Sequence, residues 1–407
     1  MTTLAIHGGT AVRAEAWPAW PHYGSDVQEA IARVGMSGKF HPMFGNETKT
    51  FEAAFAAYHG MPEAVAFSHG TTALMAALAA AGIGCGDEVM VPAYTYAASA
   101  GAVVEQNAVP IFVDSEPKSQ GLDPEDLRRK ITPATKAIMV VHVNGYPCDM
   151  DAVMAIAAEH GLMVIEDCSH AHGARYKGKL VGTIGHFGAF SIQHKKNLAA
   201  GTGGVTLTRD VAAAEQMRKI RNYEWHDIGH NWQINEFSSA IATVELGHLD
   251  EKNAIRRANA KKLIELLGEV PGITPLPGLP DTEPVYYNVI LQYDAEAVGI
   301  PRELFVKAMA AEGIPINMFY QPLQRWPIFA KADFYGKGCP FQCPMREGGP
   351  VEYGSVSTPV AGAICRSVNL EIKVQPPCGE GEMKQIADAI RKILAARQEL
   401  TSKLLKN

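Results

Sequence analysis

Between residues 51 and 208 the chain alternates short apolar runs with helical stretches of about ten residues. The pattern predicts a helix over 50–59, a strand at 64–67, a helix over 72–82, a strand at 88–92 and a helix over roughly 95–106. Further strands are predicted at 110–113, 137–143, 162–165, 187–192 and 205–208, with a helix over 150–160. Neighbouring strands separated by a helix run parallel, because the chain must cross over before it can pair again. The prediction is therefore an α/β domain with a largely parallel sheet. In such sheets ligands bind in the loops that follow the carboxyl ends of strands. The loops after Phe67, Pro92, Ile165 and Ile192 are where chemistry is expected.

The flanks differ. Residues 1–50 are rich in Trp, Pro and Gly and read as an extended arm and loop. After Glu245 a charged helical stretch gives way to PGITPLPGLPDTEP, a composition shift that suggests a boundary near 250–275. Beyond it, 285–292 reads as a strand, 302–312 as a helix, 335–364 as loop and 380–405 as a helix. The expected organisation is an arm (1–50), a large domain (51–250) and a smaller C-terminal α+β domain (251–407). A chain of 407 residues that is 47% hydrophobic can bury a substantial core, which excludes disorder and small disulfide scaffolds. A net charge of -6 argues against nucleic acid or anionic membrane as a partner. The seven cysteines are scattered with no CxxC pair. With no signal peptide and no run of eighteen apolar residues, a cytoplasmic protein with reduced thiols is expected.

Three segments could carry chemistry. Ser68-His69-Gly70-Thr71-Thr72 precedes a helix, whose free N–H groups and dipole suit a phosphate or oxyanion, or simply a capped first turn. Glu166-Asp167-Cys168-Ser169-His170-Ala171-His172 follows a buried strand. It fits a capped helix start, a metal site using Asp167, His170 and His172, or a carboxylate paired with a cofactor ring nitrogen. Ser191-Ile192-Gln193-His194-Lys195-Lys196 leads into Gly201-Thr202-Gly203-Gly204. Lysine in so apolar and glycine-rich a stretch fits a Schiff-base lysine or a solvated pair. The glycines at 82–86 follow a helix and precede a strand, the wrong order for a dinucleotide fingerprint. Cys339 and Cys343 lack a nearby His, so no metal site is expected, and Trp225-His226-Asp227 reads as a loop or interface cluster.

Together these segments resemble the fold-type I pyridoxal-phosphate aminotransferases, and more narrowly the DegT/DnrJ/StrS family. The resemblance covers nearly the whole chain. It rests also on Tyr58-His59-Gly60, Val91-Pro92-Ala93-Tyr94-Thr95-Tyr96-Ala97, Val141-His142, Gly145 and Asp149-Met150-Asp151. Trp17-Pro18-Ala19-Trp20-Pro21, His170, Gln193 and Asn235-Glu236-Phe237-Ser238 are similar to the glutamine:scyllo-inosose aminotransferases and 3-amino-5-hydroxybenzoate synthases within it. The resemblance implies a large domain with a mostly parallel seven-stranded sheet, a smaller C-terminal domain and pyridoxal 5'-phosphate as cofactor. It implies Lys196 as the lysine that bonds the cofactor aldehyde and Asp167 as partner of the pyridine nitrogen. Tyr96 would stack on the ring, and His170 would also contact the cofactor. Gly70, Thr71, Thr72 and Ser191 would hold the phosphate, with Asn231 reaching it from the partner subunit of a homodimer.

The activity so implied is transfer of an amino group from glutamine or glutamate to a keto-cyclitol or keto-sugar, in aminoglycoside or other secondary-metabolite biosynthesis. The alternatives are a nucleotide-linked keto-sugar as acceptor, or dehydration at a sugar carbon. Thr202 and Gln233, where family members usually carry Glu and Arg, motivate the last, and Asn144 stands where many have an aromatic.

Overall fold

A computed structural model describes residues 3–223, 228–318, 321–346, 349–366, 368–371 and 374–402. Trp225-His226-Asp227 lies outside the described residues.

The chain opens with helices α1 (Ser25–Ser37) and α2 (Glu47–His59). The alternating region follows as β1 (Glu63–Phe67), α3 (Gly70–Ala80), β2 (Glu88–Pro92), α4 (Ala97–Glu105) and β3 (Val109–Val113). It continues through α5 (Pro124–Lys130), β4 (Thr135–Val141), α6 (Met150–His160) and β5 (Met163–Asp167). A short hairpin, β6 (Arg175–Tyr176) and β7 (Lys179–Leu180), leads to β8 (Phe187–Ser191) and β9 (Gly204–Thr208). Three helices come next: α7 (Val211–Arg221), α8 (Glu236–Gly247) and the long α9 (Leu249–Leu267). The remainder holds β10 (Ile273–Pro275), β11 (Thr282–Glu283), β12 (Asn288–Tyr293), α10 (Ala295–Val298), α11 (Arg302–Ala311) and β13 (Asn317–Met318). It ends with α12 (Pro327–Ala330), α13 (Pro359–Ile364), β14 (Val368–Glu371), α14 (Glu380–Ala395) and α15 (Arg397–Ser402).

The large sheet has seven strands in the order β1-β9-β8-β5-β4-β2-β3. Only β9 runs against the rest. The α/β fold with a mostly parallel sheet is borne out. Its central strands are buried on both faces, which is why they read as unbroken apolar runs. Alternate residues divide cleanly: Met90, Ile138, Val140 and Val164 enter one core, while Val89, Val91, Met139 and Ile165 enter the other. A second sheet, β10-β12-β14-β13, forms a third core with α9, α11 and α14.

Packing does not follow chain order. Leu4 is buried in the third core. Leu323, Phe329, Phe341 and Tyr353 join the core over β2 and β3. The arm also differs from its reading as loop. Helix α1 buries Val27, Ala30 and Val34, the last two against Ala240 of α8. Its buried residues recur at helical spacing, but the Trp, Pro and Gly content around them reads as loop. Helix α8 escapes a periodicity search for another reason. It buries Glu236, Ser238, Ser239 and Glu245, and Glu236 accepts hydrogen bonds from the Thr48 N–H (3.0 Å) and hydroxyl (2.6 Å). Among the described residues no helix is long and apolar enough to cross a membrane.

Candidate active site

The loops after β1, β2, β5 and β8 meet at one edge of the sheet, around a cavity of about 660 Å³. That volume suits a small organic ligand. Its lining includes Gly70, Thr71, Tyr96, Asp167, His170, Ser191 and Lys196. Lys195 also reaches the rim, with an exposed side chain, whereas Lys196 is half-buried.

Helix α3 begins at Gly70, so the N–H groups of its first turn have no acceptor within the helix and point into the cavity edge. A Cβ on Gly70 would stand 2.5 Å from Ser191 Cβ, and one on Gly204 would stand 2.4 Å from the His69 carbonyl oxygen. Only glycine lets α3 close so tightly on β8 and β9. The result is a cradle of backbone donors beside the Ser191 hydroxyl, suited to a phosphate. Thr72 is not in the lining. Its hydroxyl accepts from the His69 N–H at 3.1 Å and closes the turn.

Asp167 ends β5 and is 5% exposed. The Ser99 hydroxyl donates to its Oδ2 at 2.9 Å, and the Ser169 N–H donates to its Oδ1 at 3.1 Å. Ser99 comes from α4 and Ser169 from the loop after β5, so a helix and a loop hold the carboxylate in place. The Lys196 amine lies 5.0 Å from the centre of the Tyr287 ring. Burial pulls its pKa down to about 8, against the opposing pull of Asp167. The other face of the site is a stack: His170 lies on Tyr287 at 4.2 Å with the rings 4° from parallel. The Asn144 N–H donates to His170 Nδ1 at 3.4 Å, which leaves the ring proton on Nε2. Burial, with the Lys196 charge nearby, holds this imidazole well below its ordinary pKa, so it is neutral.

Ser99, Tyr287 and Asn288 are site residues that sequence reasoning missed. Tyr287 lies in a run read only as a strand. A usable signal was absent, because its neighbour Tyr286 adopts a left-handed backbone (φ 46°), as Asn144 does (φ 57°). Such conformations gather at functional sites, but sequence gives no warning of them in Tyr. Asn231 is exposed and outside the lining.

Asp167, His170 and His172 do not converge as metal ligands. Both His172 nitrogens are buried without a partner. Among the described residues the grouping with ligand atoms close enough for a metal is His142, Glu166 and Cys168. There His142 Nε2 is 3.0 Å from Glu166 Oε2, and the N–H groups of Gly182, Ile184 and Gly185 donate to the same carboxylate. The Cys148 N–H occupies His142 Nδ1 at 3.1 Å. The carboxylate and imidazole acceptors are thus used by the protein itself.

The donor set fits a phosphate-bearing aldehyde with a basic ring nitrogen: a phosphate cradle, a half-buried amine of lowered pKa and an anchored carboxylate at one cavity. Known proteins similar to this chain include aminotransferases. A model of the DegT/DnrJ/EryC1/StrS aminotransferase family matches residues 21–342. An L-glutamine:2-deoxy-scyllo-inosose aminotransferase of Streptomyces kanamyceticus is 36% identical over 427 residues, covering 98% of each chain. The crystal structure of 3-amino-5-hydroxybenzoic acid synthase superposes with a TM-score of 0.83 at 31% identity, covering 94% of this chain and 100% of that one. DesI, crystallised with its TDP-sugar product, superposes with a TM-score of 0.85 at 25% identity, covering 98% of both.

Proposed function

The chain belongs to the DegT/DnrJ/EryC1/StrS aminotransferase family, and from that premise we propose that it moves an amino group from glutamine to a keto-cyclitol with pyridoxal 5'-phosphate as cofactor. The observation that carries the substrate class is the end-to-end similarity, over 98% of both chains, to an enzyme named for glutamine and a deoxy-inosose.

The bound cofactor supplies an electron sink for charge developing at the substrate carbon. The protein's residues supply the rest. The α3 N-terminus, Thr71 and the Ser191 hydroxyl hold the phosphate. Asp167, fixed by Ser99 and Ser169, holds a proton on the ring nitrogen. His170 would donate to the cofactor from Nε2, and Tyr96, also in the lining, would pack against it. Lys196 would bond the cofactor aldehyde, and its amine, once free, would take up the donor's α-proton in the first half-reaction and deliver a proton to the acceptor carbon in the second. A pKa of about 8 leaves much of that amine neutral under mildly basic conditions, as a nucleophile and base must be. Asn231, outside this chain's own cavity, serves the partner's phosphate in a homodimer.

The test is to load the protein with pyridoxal phosphate and supply glutamine with 2-deoxy-scyllo-inosose. An amino-cyclitol should form with one 2-oxoglutaramate per product. Amination of a TDP-keto-sugar alone would instead favour the nucleotide-sugar reading that the likeness to DesI supports. A deoxy product without amine would favour elimination.

A further inference from the structure

Lys196 sits on a loop whose ends are closed by its own backbone. Ala200 N–H donates to the Ile192 carbonyl at 2.9 Å and His194 N–H to the Gly201 carbonyl at 2.8 Å. The carbonyls in the middle of the loop face outward, and the arm takes them up. The Trp20 indole N–H donates to the Lys196 carbonyl at 3.3 Å. The Tyr23 hydroxyl donates to the Ala199 carbonyl at 3.1 Å. Residues nearly the whole large domain away in sequence thus hold the segment from outside the cavity.

Trp20 is itself held. Its ring lies 4.6 Å from the guanidinium carbon of Arg256 and 5.6 Å from the Lys252 amine. Arg256 is 1% exposed and has no carboxylate within salt-bridge distance among the described residues. Its Nη2 has no hydrogen-bond partner, so the indole face is a principal neighbour for its charge. Arg256 Nη1 donates to Asn253 Oδ1 at 3.4 Å, and Asn253 Nδ2 donates to the His172 carbonyl at 2.8 Å. His172 belongs to the loop that carries His170. One chain of contacts therefore joins the arm, α9, the loop after β5 and the lysine loop.

We infer that Trp20 and Tyr23 are positioning residues: a strap that fixes the Lys196 loop, through its carbonyls, in the orientation that presents the amine to the cavity. This rests on the reading of Lys196 as the cofactor lysine. It gives the tryptophan-proline arm a task that its composition alone does not reveal.

The variants W20F and Y23F keep an aromatic ring at each position and delete one donor each. In the double variant without cofactor, amide hydrogen exchange in peptides spanning 193–201 should quicken about 3- to 10-fold, the factor a neutral hydrogen bond typically represents. Exchange over 182–185 should not change. Appearance of the visible band after adding pyridoxal phosphate should slow by a similar factor, with donor KM nearly unchanged. Unaltered exchange and capture would overturn the strap, as would faster exchange spread evenly through the chain, which marks general destabilisation. K196A separates the two readings. If it still binds the cofactor covalently, the assignment of Lys196 fails, while the exchange measurement judges the strap by itself.

Discussion

Glu166 and Asp167 are adjacent in sequence and opposite in employment. They lie at the end of one strand, so their side chains leave by opposite faces of the sheet. Glu166 is fully buried, and four donors occupy its two oxygens: His142 and the N–H groups of Gly182, Ile184 and Gly185. Asp167 has two protein donors and borders the cavity. A saturated carboxylate can only hold structure; one with acceptor capacity left toward a cavity can hold a ligand. The same division separates the histidines. His142 clasps Glu166, His170 faces the cavity, and His172 is sealed away with burial lowering its pKa to about 3.

The comparison can be broken by substitution. The largest effect belongs to the cavity: K196A should lower kcat by about 10³-fold or more and abolish the borohydride-stable adduct, with the melting temperature little altered. Next, D167N should lower kcat by about 10²-fold while the cofactor is still captured. Its neighbour should do the reverse. E166Q puts an amide N–H₂ against donors and should cost about 2–4 kcal/mol in denaturant unfolding, with turnover per folded molecule preserved. Loss of turnover without loss of stability in E166Q would erase the distinction.

Acid titration sharpens it. Burial pushes the Glu166 carboxyl up, but His142 and the backbone donors outweigh this and hold it below its ordinary value. Its folded pKa is thus lower than its unfolded one. The stability it gives is complete above the ordinary carboxylate pKa and is lost as the pH falls through the folded value. E166Q should therefore show a flatter stability curve in acid than the parent. Smallest, S99A should reduce kcat about tenfold by releasing one hold on Asp167. In the parent, the rate of cofactor capture should climb with pH and level off above about 8, where Lys196 loses its proton; a plateau reached only above 10 would contradict that burial lowers this amine.

Much of the fold was legible because strands buried on both faces have no polar alternation to blur. Helix Met150–His160 and strand Glu88–Pro92 fall where the pattern puts them. That Asp167 and Lys196 border the cavity was legible because one ends a strand, the other lies in the loop that follows one, and each stands out chemically from its neighbours. Ser99 and Tyr287 were not, since their importance lies in what they touch across the cavity. The metal reading of Asp167, His170 and His172 failed for the same reason: closeness in sequence after a strand does not make side chains converge.

The sequence by itself determined the alternating α/β order, the strand ends and following loops that line the cavity and the glycines that let α3 approach β8. Tertiary structure alone decided which of two adjacent acids meets the cavity, that residues 323–353 return to the core of the seven-stranded sheet, and that the arm reaches the lysine loop. Periodicity records only whether a residue is buried; which partner it meets there depends on chain segments hundreds of residues away, and no local pattern encodes that meeting.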